Sequence, residues 1–230
     1  MLHCSATRSH TAMYLPAHFS ETRTEVLHAL MRAQPLTTLV TLAAGGLDAN
    51  HIPLHLSPQD GPLGTLRGHV ARANPLWREC ECTSGVAALA IFHGPDAYIT
   101  PGWYPTKAQT GKAVPTWNYA VVHAHGALRV VDDRVWLRAH LAALTAQHEA
   151  ASAQPWQIED APADYIEKML GAVVGIEITI TRLTGKWKTS QNQVPENQAG
   201  VVHGLRERAR DYDLAMAALV EEAARGRVVR

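Results

Sequence analysis

Hydrophobic and polar positions change period several times along this chain. With Ser20 as N-cap, residues 21–33 carry Val26, Leu27, Leu30 and Met31 on one helical face, and Pro35 ends the run. The period then shortens to two. Residues 36–43 are rich in Thr, Leu and Val, and Gly45-Gly46 supplies the positive φ angles of a two-residue turn. Residues 47–56 return with Ile52, Leu54 and Leu56 on one face and His51, Pro53 and His55 on the other. Pro53 lacks an N–H donor, which places this strand at an edge or at a bulge. A turn-rich loop leads to a strand at 63–70, and Asn74-Pro75 opens a short helix that ends at Gly85.

The apolar run 86–92 predicts a buried strand, interrupted by His93-Gly94-Pro95-Asp96 and resumed at 97–100. Residues 101–115 show no periodicity, and a loop of that length inside a compact domain is usually functional or mobile. A long strand at 117–131 follows. Asp132 and Asp133 then cap a helix to about residue 150, with Leu137, Leu141 and Leu144 as its stripe. A short helix at 163–170, a strand at 173–183 and helices at 196–208 and 212–224 complete the chain. Strands that meander through hairpins, with helices as appendages, predict a mainly β chain with flanking helices, an α+β protein. Six or seven antiparallel strands suit a small barrel, which removes sheet edges by closure. Residues 1–12 read as a disordered extension before a single domain at 13–230.

Composition narrows the function classes. Over 230 residues, 47% hydrophobic and 18% charged exclude extended disorder. Lys+Arg 21 against Asp+Glu 21 leaves no surplus for neutralising nucleic-acid phosphates. Cys4, Cys80 and Cys82 form neither a disulfide framework nor a zinc ribbon, and are expected as reduced thiols. With no apolar run near membrane-span length and no signal peptide, the expected location is cytoplasmic.

Five stretches concentrate polar and aromatic residues at strand ends. They are Asn50-His51-Ile52-Pro53, the run from His69 through Arg72 to Asn74-Pro75, Tyr98-Ile99-Thr100-Pro101-Gly102-Trp103-Tyr104, Val114-Pro115-Thr116-Trp117-Asn118-Tyr119, and Gly185-Lys186-Trp187-Lys188-Thr189-Ser190-Gln191-Asn192. A flat heteroaromatic ligand asks for aromatic faces, and a phosphate asks for Arg, Lys, hydroxyls and free N–H groups at a helix start. Arg72, just before the helix opened by Asn74-Pro75, stands where such a phosphate can dock. The same residues also admit a plainer role, with the tryptophans in a core or a subunit interface and the lysines solvated.

These motifs resemble the PaiB-like family of FMN-binding split-barrel proteins, described as negative transcriptional regulators. The resemblance runs over about residues 13–224. Thr189 stands where the family pattern has leucine, and Trp187 falls in a variable slot. The resemblance implies an antiparallel split barrel of FMN-binding type, and a homodimer with FMN held non-covalently at the subunit interface. Its cofactor-binding residues would be Asn50, His51, Ile52, Pro53, His69, Arg72, Asn74, Thr100, Trp103, Lys107, Trp117, Asn118, Lys188, Ser190 and Gln191. Within that set Arg72 and His69 would meet the phosphate and His51 the flavin edge. The loop at 101–115 would cover the cleft, anchored by Trp103 and Trp117, with Lys107 near the phosphate or a second small-molecule ligand. Haem is the alternative cofactor.

No metal site is expected: His123 and His125 share a strand face, but no neighbouring Cys, Asp or Glu completes a ligand set. Direct DNA reading is disfavoured. Arg206, Arg208 and Arg210 are interleaved with Glu207, Asp211, Asp213, Glu221 and Glu222, too much negative charge for a groove-reading helix. The expected function is therefore a PaiB-type regulator acting indirectly, with an FMN-dependent oxidoreductase as the competing class and no catalytic residue assigned.

Overall fold

The two-residue period of the strands is realised in a computed structural model that describes residues 13–43, 45–81 and 85–226. The extension at 1–12, Cys4 and Cys82, and the side chain of Cys80 lie outside the described residues. In chain order the elements are β1 (Ser20–Glu21), α1 (Thr24–Ala33), β2 (Leu36–Ala43), β3 (Gly46–Pro53), β4 (His55–Ser57), β5 (Thr65–Ala71), α2 (Leu76–Glu81) and β6 (Val86–Ile99). There follow α3 (Lys107–Thr110), β7 (Thr116–Val131), α4 (Arg134–Glu149), α5 (Ala163–Gly171), β8 (Val173–Lys188), α6 (Pro195–Arg208) and α7 (Asp213–Arg225). No described helix is long and apolar enough to cross a membrane.

The chain divides into two compact units. Glu21–Pro95 with Ala120–Gly185 form the barrel unit; the described parts of Met1–Ser20, Asp96–Tyr119 and Lys186–Arg230 form the second, so β6, β7 and β8 each contribute to both. In the sheet, strands follow the order β3-β2-β6-β7-β8-β5-β4, with β1 pairing β8. The two ends of that path, β3 and β4, are consecutive in sequence and separated by Leu54 alone. One strand thus leaves β2 at Pro53 and joins β5 at His55, and the sheet closes on itself. Pro53 marks this switch, as its missing donor foretold.

Closure needs close approach. A Cβ on Gly68 of β5 would lie 2.6 Å from Leu54 Cδ2 and 3.3 Å from the Pro53 carbonyl oxygen. Inside the barrel unit Leu39, Leu54, Leu66, Phe92, Val122, Ile176 and Ile178 are almost wholly buried. The outward side of β5 and β8 is covered by α4. A Cβ on Gly175 of β8 would meet Trp136 Cζ3 at 2.4 Å and the Val131 carbonyl oxygen at 2.7 Å, so the bare glycine lets the indole lie on the strand. Below it Leu137, Ile158, Ile166 and Leu170 form a satellite core. In the second unit α6 and α7 pack with Ile99, Tyr104, Val201, Leu205, Met216 and Val220 in one cluster.

The fold agrees with the antiparallel split barrel with flanking helices read from the sequence. The sheet has eight strands rather than six or seven, because the bend at Leu54 and the two-residue β1 add short pieces. Three boundaries differ. First, α1 starts at Thr24, because the Glu21 carboxylate accepts from the Arg23 backbone N–H at 2.9 Å and holds the preceding turn extended. Second, β6 runs unbroken through His93-Gly94-Pro95-Asp96; a Cβ on Gly94 would meet the Ala120 carbonyl oxygen at 3.0 Å, so the glycine serves close strand approach and not a turn. Third, β8 continues to Lys188 and carries the lysine motif on a strand.

Gly175→Ala is therefore expected to destabilise the chain by about 1–3 kcal/mol through overpacking. Urea unfolding measures this. A loss below about 0.5 kcal/mol would show that Trp136 and its strand yield freely.

Candidate functional site

Alternation on the β2–β3 hairpin sorts its side chains. Thr37, Leu39 and Thr41 point inward and are buried, while Leu36, Thr38, Val40 and Leu42 point outward. Their cross-strand partners are Pro53, His51, Ala49 and Leu47, and on the other side Thr38 pairs Ile91 and Val40 pairs Leu89. The outer face of β3-β2-β6 is thus an apolar strip, with Leu36 61%, Leu42 59% and Leu47 78% exposed. Single exposed leucines are ordinary, whereas leucines gathered on one sheet face make a candidate interaction surface. Two imidazoles border it: His51, and His93, whose Nε2 is 3.3 Å from Thr38 Oγ1. Farther along the barrel, Arg182 lies 3.1 Å from His125 Nδ1, and burial followed by the charges of Arg182 and His123 lowers the His125 pKa.

The other expected residues of the barrel unit are tied into structure. Ile52 faces the core. Asn50 accepts from Asn74 Nδ2 at 2.8 Å, and Asn74 Oδ1 accepts from the Leu76 N–H at the start of α2. Arg72 donates to both carboxylate oxygens of Asp132 at 2.9 and 2.7 Å, and to the carbonyls of Gly171 and Val173. Its guanidinium also stacks on Trp77. The donors that a phosphate would need from Arg72 are therefore engaged by Asp132 and two carbonyls.

His69 sits under α4, its Nδ1 3.2 Å from His140 Nε2. His140 stacks on Trp136, and its Nδ1 is buried without a hydrogen-bond partner. A cavity of about 140 Å³ lies alongside, lined by His55, Arg67, Trp136 and His140. Burial, then the proximity of His69, His55 and Arg67, lowers the His140 pKa to about 3; burial alone lowers that of His69. Sequence periodicity counted leucines on α4 and missed His140. Nearby, Glu177 is clamped between Arg67 at 2.9 Å and Arg129.

In the second unit, β7 and β8 bring Asn118, Lys188 and Ser190 together around a cleft of about 150 Å³, with Tyr104, Val114 and Thr116 completing its wall. Lys188 Nζ donates to Thr116 Oγ1 and the Trp117 carbonyl. Two residues back on the same strand face, buried Lys186 donates to the Tyr14 carbonyl at 2.9 Å and lies over the rings of Tyr14 and Tyr119. Burial, then the charge of Lys186, lowers the Lys188 pKa. Ser190 is buried with φ +62°, a left-handed conformation uncommon outside glycine, and its Oγ accepts from Asn118 Nδ2 at 2.9 Å. Gln191 holds the turn, its Oε1 accepting from the Thr189 N–H at 2.7 Å.

Thr100, Trp103 and Lys107 lie apart from the lining of that cleft. Thr100 Oγ1 accepts from the Gly102 N–H, and Lys107 is exposed on α3. Trp103 lies against α6, where a Cβ on Gly204 would fall 2.2 Å from its ring, and the Arg208 guanidinium lies over the ring at 4.8 Å. Trp117 is 54% exposed and meets Tyr98 edge to face. The loop at 101–115 is ordered locally by a 3-10 turn at Pro101–Trp103 and by α3. A larger groove, about 780 Å³, runs along α6 and α7, where Ala199, Val202, Val220 and Ala224 line it together with Gln198, His203, Arg206, Glu221 and Arg225.

The architecture is an antiparallel split barrel with flanking helices. A family model described as "Putative FMN-binding domain" matches residues 13–182, and the chain belongs to this FMN-binding family. It is 36% identical to an uncharacterized protein of Emericella nidulans over 91% of this chain and 97% of that one. It is 29% identical to the protease synthase and sporulation protein PAI 2 of Bacillus subtilis, over the same shares. Among solved structures, the FAD and heme binding protein from Mycobacterium smegmatis superposes with a TM-score of 0.51 at 18% identity, covering 74% of this chain and 73% of that one.

FMN is thus the family's cofactor, and the residues present fit it. The second unit's cleft offers a lysine and hydroxyls suited to a phosphate. Among the described residues no group of three or more His, Cys, Asp or Glu is arranged to hold a metal.

The histidines beneath α4 give the barrel unit an acid sensitivity. An unfolded histidine takes up its proton near pH 6.5, whereas folded His140 resists until about 3. The unfolded state binds more protons in that window, so stability is full above about pH 6.5 and falls as pH drops. The expected decline attributable to His140 is up to about 1.4 kcal/mol per pH unit between about pH 6 and 5. Urea titrations across this range, with His140→Gln for comparison, measure it. Equal slopes in both proteins would contradict the assignment.

Proposed function

We propose that the chain works as a homodimer in which the open β3-β2-β6 face of one copy meets its partner and the flavin of FMN lies at that junction. One observation carries the proposal: the apolar strip of Leu36, Leu42 and Leu47, left open beside His51 and Pro53. Burying such a strip against a second copy removes apolar surface from water at about 25 cal/mol per Å². FMN, when bound, supplies a redox-active ring and a phosphate dianion; the chain supplies the surface that holds and orients them.

In this reading the protein is a ligand-responsive negative regulator of PaiB type that acts indirectly. Support comes from its likeness to Bacillus subtilis PAI 2 and from the C-terminal helices, whose arginines serve packing. Arg206 pairs with Glu221 at 2.8 Å, and Arg208 is held by Asp213 and the Trp103 ring, which leaves little of the helix pair's positive charge for a nucleic-acid groove. An FMN-dependent oxidoreductase is the competing reading. The exposed imidazole of His51 beside the strip favours it, since an imidazole can serve as a general acid or base toward a bound substrate.

Light scattering on the purified protein is expected to give twice the chain mass. The double variant Leu42→Asp with Leu47→Asp is expected to be monomeric and to lose at least about tenfold in FMN affinity, the cost of one missing set of contacts. A wild-type monomer that binds FMN, or a monomeric variant with undiminished affinity, would place the flavin within a single copy and overturn the proposal.

A further inference from the structure

The second unit holds two cations that its own carboxylates do not balance. Lys186 and Lys188 follow one another on the same face of β8. Lys186 is only 8% exposed, yet its ammonium is met by a carbonyl and two aromatic rings and by no carboxylate among the described residues. Lys188 likewise donates only to a hydroxyl and a carbonyl. Elsewhere the same chain pairs its half-buried cations closely: Arg67 with Glu177, Arg72 with Asp132, Arg208 with Asp213. Burying charge without a counter-charge is costly, and the cost is offset when an anion completes the set.

The cleft beside Lys188 has the geometry for one. Lys188 is the only charged residue in its lining. Lys188 has three N–H donors and spends two on Thr116 and Trp117, which leaves one for a ligand. The Ser190 hydroxyl accepts from Asn118, so its own O–H remains to donate. Tyr104 adds a phenol whose pKa burial raises, keeping it protonated and a donor. The left-handed backbone at Ser190 is strain held by a buried turn, and such strain concentrates at ligand sites. Neutral donors and the Lys188 ammonium around about 150 Å³, with Lys186 two residues away on the same strand, match a small oxyanion rather than a cation or an apolar group.

We infer that this cleft is a phosphate-monoester site, with Lys188, the Ser190 hydroxyl and Tyr104 as its donors and Lys186 as the second positive charge. Resting on the FMN reading, the inference makes the phosphate of a flavin nucleotide one ligand that this cleft accepts. A separate phosphorylated ligand presents the same chemistry, so the experiment distinguishes the two.

FMN and riboflavin, which lacks the phosphate, are titrated by flavin fluorescence against the full chain and against Lys188→Met, Lys188→Arg and Lys186→Met. Inorganic phosphate is followed by thermal shift. The wild type is expected to prefer FMN over riboflavin by about ten- to a hundredfold. Lys188→Met should erase most of that preference, leave riboflavin affinity within about twofold, and be partly rescued by Lys188→Arg. If FMN and riboflavin bind the wild type equally, but phosphate stabilises it and not Lys188→Met, the cleft serves a separate phosphate monoester. A wild type that binds neither flavin would overturn the cofactor reading, and the phosphate arm would then decide the cleft alone. Equal losses for FMN and riboflavin in Lys188→Met, or no phosphate stabilisation together with an unchanged FMN preference, would overturn the inference.

Discussion

Closure of the sheet through the switch from β3 to β4 sets every other feature of the barrel unit. The stretch that pairs with β2 up to Pro53 pairs with β5 from His55, and only Leu54 stands between. That switch is fixed at three points: Gly68 makes room for Leu54, the Leu54 N–H donates to the Pro35 carbonyl at 2.8 Å, and Thr37 donates to the Ile52 carbonyl. With register pinned there, alternation has no freedom. A slip of one residue would turn Leu36, Leu42 and Leu47 into the barrel and Leu39 and Ile52 out to water. The open apolar strip is thus a by-product of closure.

Charge is handled in two contrasting ways. Arg67 and Arg129 hold Glu177, whose burial alone would raise its pKa; their hydrogen bonds outweigh burial and keep it lowered. Arg72 and Arg208 are saturated in the same manner and act as cross-links between elements. Lys186 and Lys188 differ, because among the described residues they are met by neutral oxygens and aromatic rings. The contrast between carboxylate-paired arginines and these lysines within one chain separates groups that hold the fold from the two proposed to meet an anion.

Much of the architecture was legible because hairpin periodicity, turn glycines and Pro53 are local signals. Continuity of β6 through Gly94-Pro95 was not, since a Gly-Pro pair spells a turn locally and its use here depends on the approach of Ala120 from another strand. The candidate sites were legible as motifs but not as roles. Arg72 beside a helix start has the local look of a phosphate ligand, and only the long-range arrival of Asp132 and Gly171 shows where its donors go. Thr116, Tyr104 and Lys186 stand within the candidate motifs but outside the expected binding set, because their surroundings come from what β7 and β8 bring beside them. His140 carried no signal at all, as a lone histidine on an amphipathic helix reads as surface.

Whether this barrel is a flavin-nucleotide protein is tested most directly by titrating the purified chain with FMN and following the flavin absorption band. The account predicts a saturable shift of that band at one FMN per chain, with intact FMN released on denaturation. A band that keeps its free-solution position at every ratio of protein to FMN would contradict it.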